Sequence, residues 1–262
     1  MTTYLSDTDK GLPISQPPEF KTPSHERVHL KRRLTAAVRL FGHYGFDEGI
    51  SGHLSVRDPE HHDQFWVNPF GVAFNRIRVS DLICVDSAGT IVHGDLPINP
   101  SAFVIHSAIH NQRPDAHAAA HAHTLNSRAL TALGTGLEVV DQESAAFYDD
   151  HVLCDDYEGP TVDPGQGQAV ATALGDKRAI LLRYHGLITV GGTIDEAAFW
   201  FISFDRCADV QLRARAAGAL RPMSQEQARS ARSGFGDPKL AWYSFQVLYD
   251  HIVNLQPDFL DE

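Results

Sequence analysis

Cysteine is scarce in this sequence. Only 3 of the 262 residues are cysteines, at positions 84, 154 and 207, and no two of them form a C-x-x-C pair. Thiols spaced so widely indicate reduced, intracellular cysteines rather than a disulfide framework. A chain of this length can bury a substantial core without disulfides. We therefore expect a cytoplasmic protein.

Long hydrophobic runs and an excess of basic residues are also missing. No stretch approaches the roughly 18 apolar residues of a membrane span, and the opening residues lack the apolar segment of a signal peptide. The formal net charge is −11, whereas a surface that binds nucleic acid must be basic. We expect neither a membrane nor a nucleic acid as partner.

The distribution of proline, glycine and apolar residues predicts a single α/β domain behind an N-terminal arm. Residues 1–23 are polar and rich in proline, which predicts a flexible arm, and residues 24–262 form the domain. The apolar spacing predicts a helix over about 25–44, and a second helix begins at Pro100. A capping box at Thr193 to Glu196 begins a long helix that ends near Gly218.

The remaining segments are predicted as strands, one loop and a last helix. The runs "HLSVRD", "QFWVNP" and "LICVDSAGTIVHG" are rich in β-forming residues, and Asp86 to Gly89 predicts a hairpin turn. The run "RAILLRYHGLITVGG" is predicted as one buried strand. A loop containing Pro222, Ser230 and Gly234 leads to an amphipathic aromatic helix over 237–255.

Fifteen histidines are many for this length, and two of them stand two residues apart in "HAAAHAHTL". Alternate residues of a strand point to the same face, so His121 and His123 can reach one cation at about 2.1 Å. The best third ligand is His185, which follows an apolar run and precedes a glycine at the expected edge of a sheet. Three imidazoles and water make an open site of the catalytic type.

The alternative is that these are isolated core or surface histidines, and the combination of H-x-H with an apolar strand ending in His-Gly favours the metal. His106, His110 and His117 are less distinctive. His106 and His110 lie one helical turn apart, and a partly buried helix face explains them about as well.

Four segments carry a resemblance to a known family. "SGHLSVRD", "PSAFVIHSAIHNQRPD", "RPDAHAAAHAHTLNSRAL" and "LLRYHGLITVGGTIDEAAFWF" resemble, in order and spacing, segments of the class II aldolase/adducin family. The resemblance implies a three-layer α/β/α fold around a mostly antiparallel sheet. It implies a homotetramer with sites between subunits. It also implies a divalent metal ion (Zn, Fe, Mn or Co) on His121, His123 and His185.

The chain departs from this family where sugar phosphates are handled. Ala102 stands where the family's aldolases carry an acid/base Glu, and alanine cannot move a proton. The phosphate-binding segments read Ser51-Gly52-His53 and Asn68 to Gly71, where Phe70 replaces a hydroxyl with apolar surface. We expect these positions, Ser51, Gly52, His53 and Phe70, to bind a non-phosphorylated substrate. The alternative for Phe70 is a core position.

Other side chains are candidates for catalysis and substrate binding. Glu143 lies in a "QE" context that resembles the family's methylthioribulose-phosphate dehydratases, where such a Glu is a general base. It could act as the base, ligate the metal, or be a solvated loop acid, and Asp141 is the weaker candidate. Arg57 is a candidate partner for a substrate carboxylate, with a salt bridge to Asp58 or Asp81 as the alternative. Tyr184 replaces the family's usual Asn, for which the sequence offers no mechanistic account.

Three functions remain open at this stage. The first is a metal-dependent lyase, of the aldolase, dehydratase or decarboxylase type, that acts on a small hydroxy or keto acid or carbonyl compound. The second is a non-haem iron oxygenase acting on an aromatic keto or hydroxy acid, as in the resembling branch from aminocoumarin biosynthesis. The third is a non-catalytic, adducin-like scaffold, which is disfavoured because all three candidate ligands are kept.

Overall fold

The structure is a computed structural model that describes residues 17–157 and 159–260. Within these ranges the chain forms eight strands and seven helices. In chain order they are α1 (Pro23–His43), β1 (His53–Arg57), β2 (Phe65–Val67), β3 (Ile83–Val85), β4 (Ile91–His93), α2 (Pro100–Gln112), β5 (Ala118–Ala122), α3 (Leu125–Leu133), β6 (His151–Cys154), α4 (Pro164–Leu174), β7 (Ala179–Leu182), β8 (Gly186–Gly191), α5 (Ile194–Ala217), α6 (Gln225–Phe235) and α7 (Pro238–Leu255).

The strands form one mixed sheet in the order β4-β3-β2-β1-β5-β8-β7-β6. Neighbouring strands are antiparallel throughout, except that β6 and β7 are parallel. Helices α1, α5 and α7 share the main core with one face of the sheet, and α2 and α4 share a second core with the other face. The expected three-layer α/β/α fold with a mostly antiparallel sheet is therefore confirmed.

Strand β5 shows how the two faces are divided. Ala118, Ala120 and Ala122 belong to the core under α1, α5 and α7, whereas Ala119 belongs to the core under α2 and α4. Because successive side chains of a strand alternate between faces, His121 points to the α2 side with Ala119. The alanine-rich strand leaves little side-chain bulk beneath α5 and ends at the histidines.

The first and last predicted helices agree with the structure. Helix α1 begins one or two residues earlier than expected, because Thr22 caps it by accepting from the backbone N–H of His25. Helix α7 is buried through Trp242, Tyr243 and Phe245 against the main core, α5 and α1. Most of the predicted N-terminal arm, residues 1–16, lies outside the described residues. No helix in the described ranges is long and apolar enough to cross a membrane.

Two predicted segments differ from the structure. The run "RAILLRYHGLITVGG" forms two antiparallel strands, β7 and β8, joined by a tight turn at 183–185. The segment expected as a loop contains α6, whose N-terminus is capped by Ser224 in a capping box with Gln227. The prediction of one strand was wrong because Tyr184 enters the left-handed region at φ 55°, which bulky residues seldom occupy.

Candidate metal centre

Three histidines meet at the ends of neighbouring strands. His121 lies near the end of β5, His123 follows directly after it, and His185 lies in the turn between β7 and β8. Strand β5 pairs with β8, which places Ala122 opposite Leu187 and brings the turn beside the histidines. The candidate ligand atoms of the three side chains all lie within 4.8 Å of one another.

The turn between β7 and β8 places His185 at the end of the sheet where β5 also ends. The backbone N–H of His185 donates to the carbonyl of Leu182 at 3.1 Å. A Cβ atom on Gly186 would lie 2.6 Å from the carbonyl oxygen of Ala122, so only glycine allows β8 to approach β5 here. Gly186 is thus required by close packing between the strands, and His185 emerges from the turn at the strand ends.

Hydrogen bonds orient His121 towards its neighbours. Its Nδ1 lies 2.9 Å from the carbonyl oxygen of Leu187, and because a carbonyl only accepts, Nδ1 carries the proton. In the neutral ring Nε2 of His121 is then unprotonated and carries a lone pair. It lies 3.1 Å from Nε2 of His123. A partner of this kind on the second ring nitrogen is what orients metal-binding histidines.

The electrostatics of the cluster favour neutral imidazoles. Burial lowers the pKa of His185 to about 4 and holds the pKa of His121 well below its ordinary value. Burial also lowers the pKa of His123. All three rings are therefore neutral near pH 7, which is the form that binds a metal ion.

The arrangement fits a divalent cation. Two imidazole nitrogens at 2.0–2.1 Å from a tetrahedral ion stand about 3.3 Å apart, close to the 3.1 Å between Nε2 of His121 and Nε2 of His123. The ring of His185 lies beside both, with its centroid 4.8 Å from that of His121 and 4.6 Å from that of His123. A three-nitrogen set leaves a coordination position open, as in catalytic sites.

The cluster opens into a cavity of about 420 Å³, here called the histidine cavity. Ser51, Gly52, His53 and Phe70 line it together with the three histidines. Gly52 adopts φ 99°, and a Cβ atom there would lie 2.8 Å from the ring of Phe74. The structure thus places four of the five predicted substrate-binding residues in the same cavity as the three candidate metal ligands. Phe70 lines this cavity, so the alternative of a core position for Phe70 is wrong.

The start of α2 carries Ala102 at the position where the family's aldolases have an acid/base Glu. Ala102 is fully buried, and its neighbours Asn99, Pro100 and Ser101 line the histidine cavity. An acid/base group for this cavity has to come from another position.

Arg57 and Glu143 are not brought to the cluster within one chain. Arg57 lies four residues after His53, roughly 13 Å further along β1. Its guanidinium donates to the carbonyls of His62 and His110, both at 2.6 Å. It lines a second cavity of about 470 Å³ beside α1 and α7. Neither alternative salt bridge of Arg57 is formed: Asp58 pairs with Arg27 at 2.6 Å, and the Asp81 carboxylate accepts from the backbone N–H of Arg78 at 2.8 Å.

Glu143 precedes a short 3-10 turn, Ser144–Phe147, that packs against α5 and α6. Its exposed carboxylate accepts from the side-chain amide of Gln142 at 3.1 Å. The α5 side is the opposite face of the sheet from the side chain of His121. Glu143 could therefore approach a histidine cavity only in a neighbouring copy of the chain.

Sequence reasoning missed a group of buried polar residues behind the cavity. His106 and His110 are not on a partly buried face, since they are 0% and 4% exposed. They contact Ser55, and His106 also contacts His53. The signal in the sequence was the pairing of His53 with Ser55 at strand spacing and of His106 with His110 at helical spacing.

Comparisons with known proteins agree with the fold. A family profile described as the class II aldolase and adducin N-terminal domain matches residues 32–212. A Streptomyces roseochromogenus subsp. oscitans protein named 4-hydroxy-3-prenylphenylpyruvate oxygenase/4-hydroxy-3-prenylbenzoate synthase is 41% identical, over 92% of this chain and 88% of its own. Decarboxylase NovR of Streptomyces niveus is 40% identical, over 93% and 91% of the two chains. The solved structure titled L-fuculose 1-phosphate aldolase from Glaciozyma antarctica PI12 superposes with a TM-score of 0.88 at 41% identity, covering 94% and 97%.

Proposed function

The chain belongs to the class II aldolase and adducin family, and from that premise we propose that it is a metal-dependent lyase. The observation that carries the proposal is the open three-histidine cluster at the base of the histidine cavity. His121, His123 and His185 would hold the ion. A bound divalent ion supplies Lewis acidity, which polarises a carbonyl oxygen and stabilises negative charge on it.

The chain's own residues prepare the site. The carbonyl of Leu187 holds the proton of His121 on Nδ1, so that Nε2 faces the cluster. Burial keeps the pKa of His185 at about 4, so protons do not compete for the ring near neutral pH. Phe70 covers one side of the histidine cavity with apolar surface.

The proposed substrate is a small, non-phosphorylated hydroxy or keto acid or carbonyl compound. Phe70 and Ala102 both lack a polar group that could bind phosphate or exchange a proton. The names of two relatives, which mention a phenylpyruvate, a benzoate and a decarboxylase, support an acid of this kind. Cleavage next to a carbonyl is chemistry that a Lewis acid in this position can assist.

A second candidate is a non-haem iron oxygenase that acts on an aromatic keto or hydroxy acid. The specific observation in its favour is the oxygenase name of the relative that matches 92% of this chain. Imidazole ligands suit iron as well as zinc, manganese and cobalt. The three histidines therefore do not distinguish the lyase from the oxygenase, and the identity of the bound metal does.

Metal identity and oxygen demand separate the two candidates. We would purify the protein with and without air, reconstitute it with zinc or iron(II), and supply aromatic and aliphatic 2-keto and 2-hydroxy acids. Lyase chemistry predicts product without oxygen consumption, with a redox-inert metal sufficient. Product that forms only with iron and only as oxygen is consumed contradicts the lyase and supports the oxygenase. Metal-bound protein that converts none of these acids contradicts both.

We also propose a homotetramer, which would allow Glu143 of one copy to approach the histidine cavity of another. Light scattering that shows a monomer at micromolar concentration contradicts this assembly.

A further inference from the structure

Four buried polar side chains form a line between β1 and α2, directly behind the histidine cavity. His53 and Ser55 share one face of β1, and His106 and His110 share one face of α2. All four are nearly inaccessible, at 2%, 0%, 0% and 4% exposure. Buried polar groups of this kind need hydrogen-bond partners, and these residues supply most of those partners to one another.

The backbone carbonyl of Ala116 determines which atoms donate and which accept along this line of four side chains, starting from His110. Nδ1 of His110 lies 3.0 Å from this oxygen, and because a carbonyl only accepts, the nitrogen must carry a proton. In a neutral ring Nε2 of His110 is then an acceptor. The hydroxyl of Ser55, 2.8 Å away, therefore donates its proton to His110.

The remaining contacts follow from that first assignment. Since Ser55 has given its only proton to His110, its oxygen accepts from Nδ1 of His106. Nε2 of His106 is then an acceptor, and it lies 2.7 Å from Nδ1 of His53. Nδ1 of His53 therefore donates, and Nε2 of His53 is left unprotonated.

Two further observations support this chain of assignments. Burial lowers the pKa of His110 to about 3 and holds the pKa of His106 well below its ordinary value, so these two rings are neutral. Among residues 17–157 and 159–260, none donates a hydrogen bond to Nε2 of His53. That ring lines the histidine cavity, with its centroid 4.7 Å from the ring centroid of His121.

We propose that Ser55, His106 and His110 are positioning residues that hold His53 in the tautomer with an unprotonated Nε2, so that His53 accepts a hydrogen bond from a hydroxyl group or water in the histidine cavity. His53 thereby supplies the polar acceptor that Ala102 cannot. The ligand class is a hydroxy acid, or the hydrated form of a carbonyl compound, whose hydroxyl donates to this nitrogen. The ligand class assigned to this position rests on the proposed function. The tautomer of His53 does not, because it is set by the protein without a metal.

The tautomer can be read directly by nitrogen NMR. We would label histidine with ¹⁵N, identify the His53 signals with His53→Asn, and record spectra of the metal-free and the zinc-loaded protein. Protonated and unprotonated ring nitrogens have distinct shifts and distinct couplings to the ring protons. The expected result is an unprotonated Nε2 on His53 in both forms. A protonated Nε2 in the metal-free wild type overturns the proposal, and the His53→Asn spectrum serves only to assign the wild-type signals.

Variants of Ser55 test the positioning role. Ser55→Ala removes both the donor to His110 and the acceptor for His106, so we expect His53 to populate both tautomers. Ser55→Thr keeps a hydroxyl and should restore the wild-type tautomer. A folded Ser55→Ala protein whose His53 signals match the wild type contradicts the positioning role.

Kinetics and metal binding separate this inference from the proposed function. Ser55→Ala should lower kcat roughly 10–100-fold, the usual scale for residues that orient a functional group, with zinc affinity unchanged. Because it acts through His53, adding it to His53→Asn should cause no further loss. A further loss of the full single-variant size contradicts the inference. Failure of the wild type to bind zinc overturns the proposed function alone, since the tautomer is measured without metal.

Discussion

The imidazole of His121 donates from Nδ1 to the backbone carbonyl of Leu187 at 2.9 Å. This bond crosses from β5 to β8, and it turns Nε2 of His121 towards His123 and His185. The acceptor is a main-chain atom of a buried strand, so the orientation of the ring is part of the sheet. The sheet thus fixes the orientation of His121, a candidate metal ligand, before any ion binds. Less side-chain ordering is then required when the ion binds.

Acidification should destabilise the metal-free protein from about pH 6.5 downwards. The pKa of His53 and of His110 is about 3 in the folded chain, against about 6.5 in the unfolded chain. Between these values the unfolded state binds protons that the folded state does not, so stability falls as the pH falls. Each such histidine contributes about 1.4 kcal/mol per pH unit.

Denaturant unfolding of the metal-free protein across this pH range measures the effect. His106→Gln should reduce the pH dependence by about one proton, whereas His62→Gln, which changes an exposed ring, should leave it unaltered. A free energy of unfolding that does not change between about pH 6.5 and 5 contradicts the buried, neutral line of histidines.

Replacing Tyr184 should stabilise the fold. Tyr184 adopts φ 55°, a region that costs a residue with a Cβ roughly 1–2 kcal/mol and that Asn and Gly tolerate better. The side chain is 60% exposed, so its replacement loses little buried area, although its hydroxyl contacts Arg183 at 3.1 Å.

We expect Tyr184→Asn to raise the free energy of unfolding by up to about 1 kcal/mol. Tyr157→Asn serves as the control, because Tyr157 is an exposed tyrosine of the same region with no positive φ. Equal or lower stability of Tyr184→Asn relative to Tyr157→Asn contradicts the strain argument.

Glu143 remains a predicted general base that would act between copies of the chain. Glu143→Gln should keep metal and fold but lose roughly 10²–10⁴-fold in kcat. Mixing an inactive His123→Ala subunit with a Glu143→Gln subunit should restore part of the activity, because one mixed site then has both residues intact. Unchanged kcat in Glu143→Gln removes this residue from the mechanism.

Sugar phosphates should be poor substrates. Ala102 offers no carboxylate, and Phe70 presents an apolar ring to the histidine cavity. The purified, zinc-loaded protein should therefore cleave L-fuculose 1-phosphate slowly or not at all, as measured by coupled detection of the aldehyde. Rapid cleavage would place this chain with the aldolase named for the Glaciozyma antarctica structure and contradict our substrate class.

Much of the fold follows from local signals in the sequence. The H-x-H pattern was interpreted as strand spacing, and Nε2 of His121 and Nε2 of His123 lie 3.1 Å apart. Asp86 to Gly89 forms the predicted turn, in which the Asp86 carboxylate accepts from two backbone N–H groups at 2.9 and 2.8 Å. Such features depend on neighbours in the chain, which the sequence displays.

Other features depend on contacts between distant segments. The turn at Tyr184 breaks an apolar run that looks like one strand, because β8 must return to pair with β5. The line from His53 to His110 joins a strand to a helix more than 50 residues away. The capping box of Ser224 and Gln227 was present in the sequence but outweighed by nearby proline and glycine.

The central claim is that His121, His123 and His185 hold one divalent ion, and elemental analysis tests it most directly. The wild type and the exposed-site control His117→Ala, stripped with chelator, reloaded and desalted, should each carry close to one ion per chain. The folded triple variant His121→Ala/His123→Ala/His185→Ala should carry none. Stoichiometric metal in that triple variant, or none in the reloaded wild type, contradicts the account.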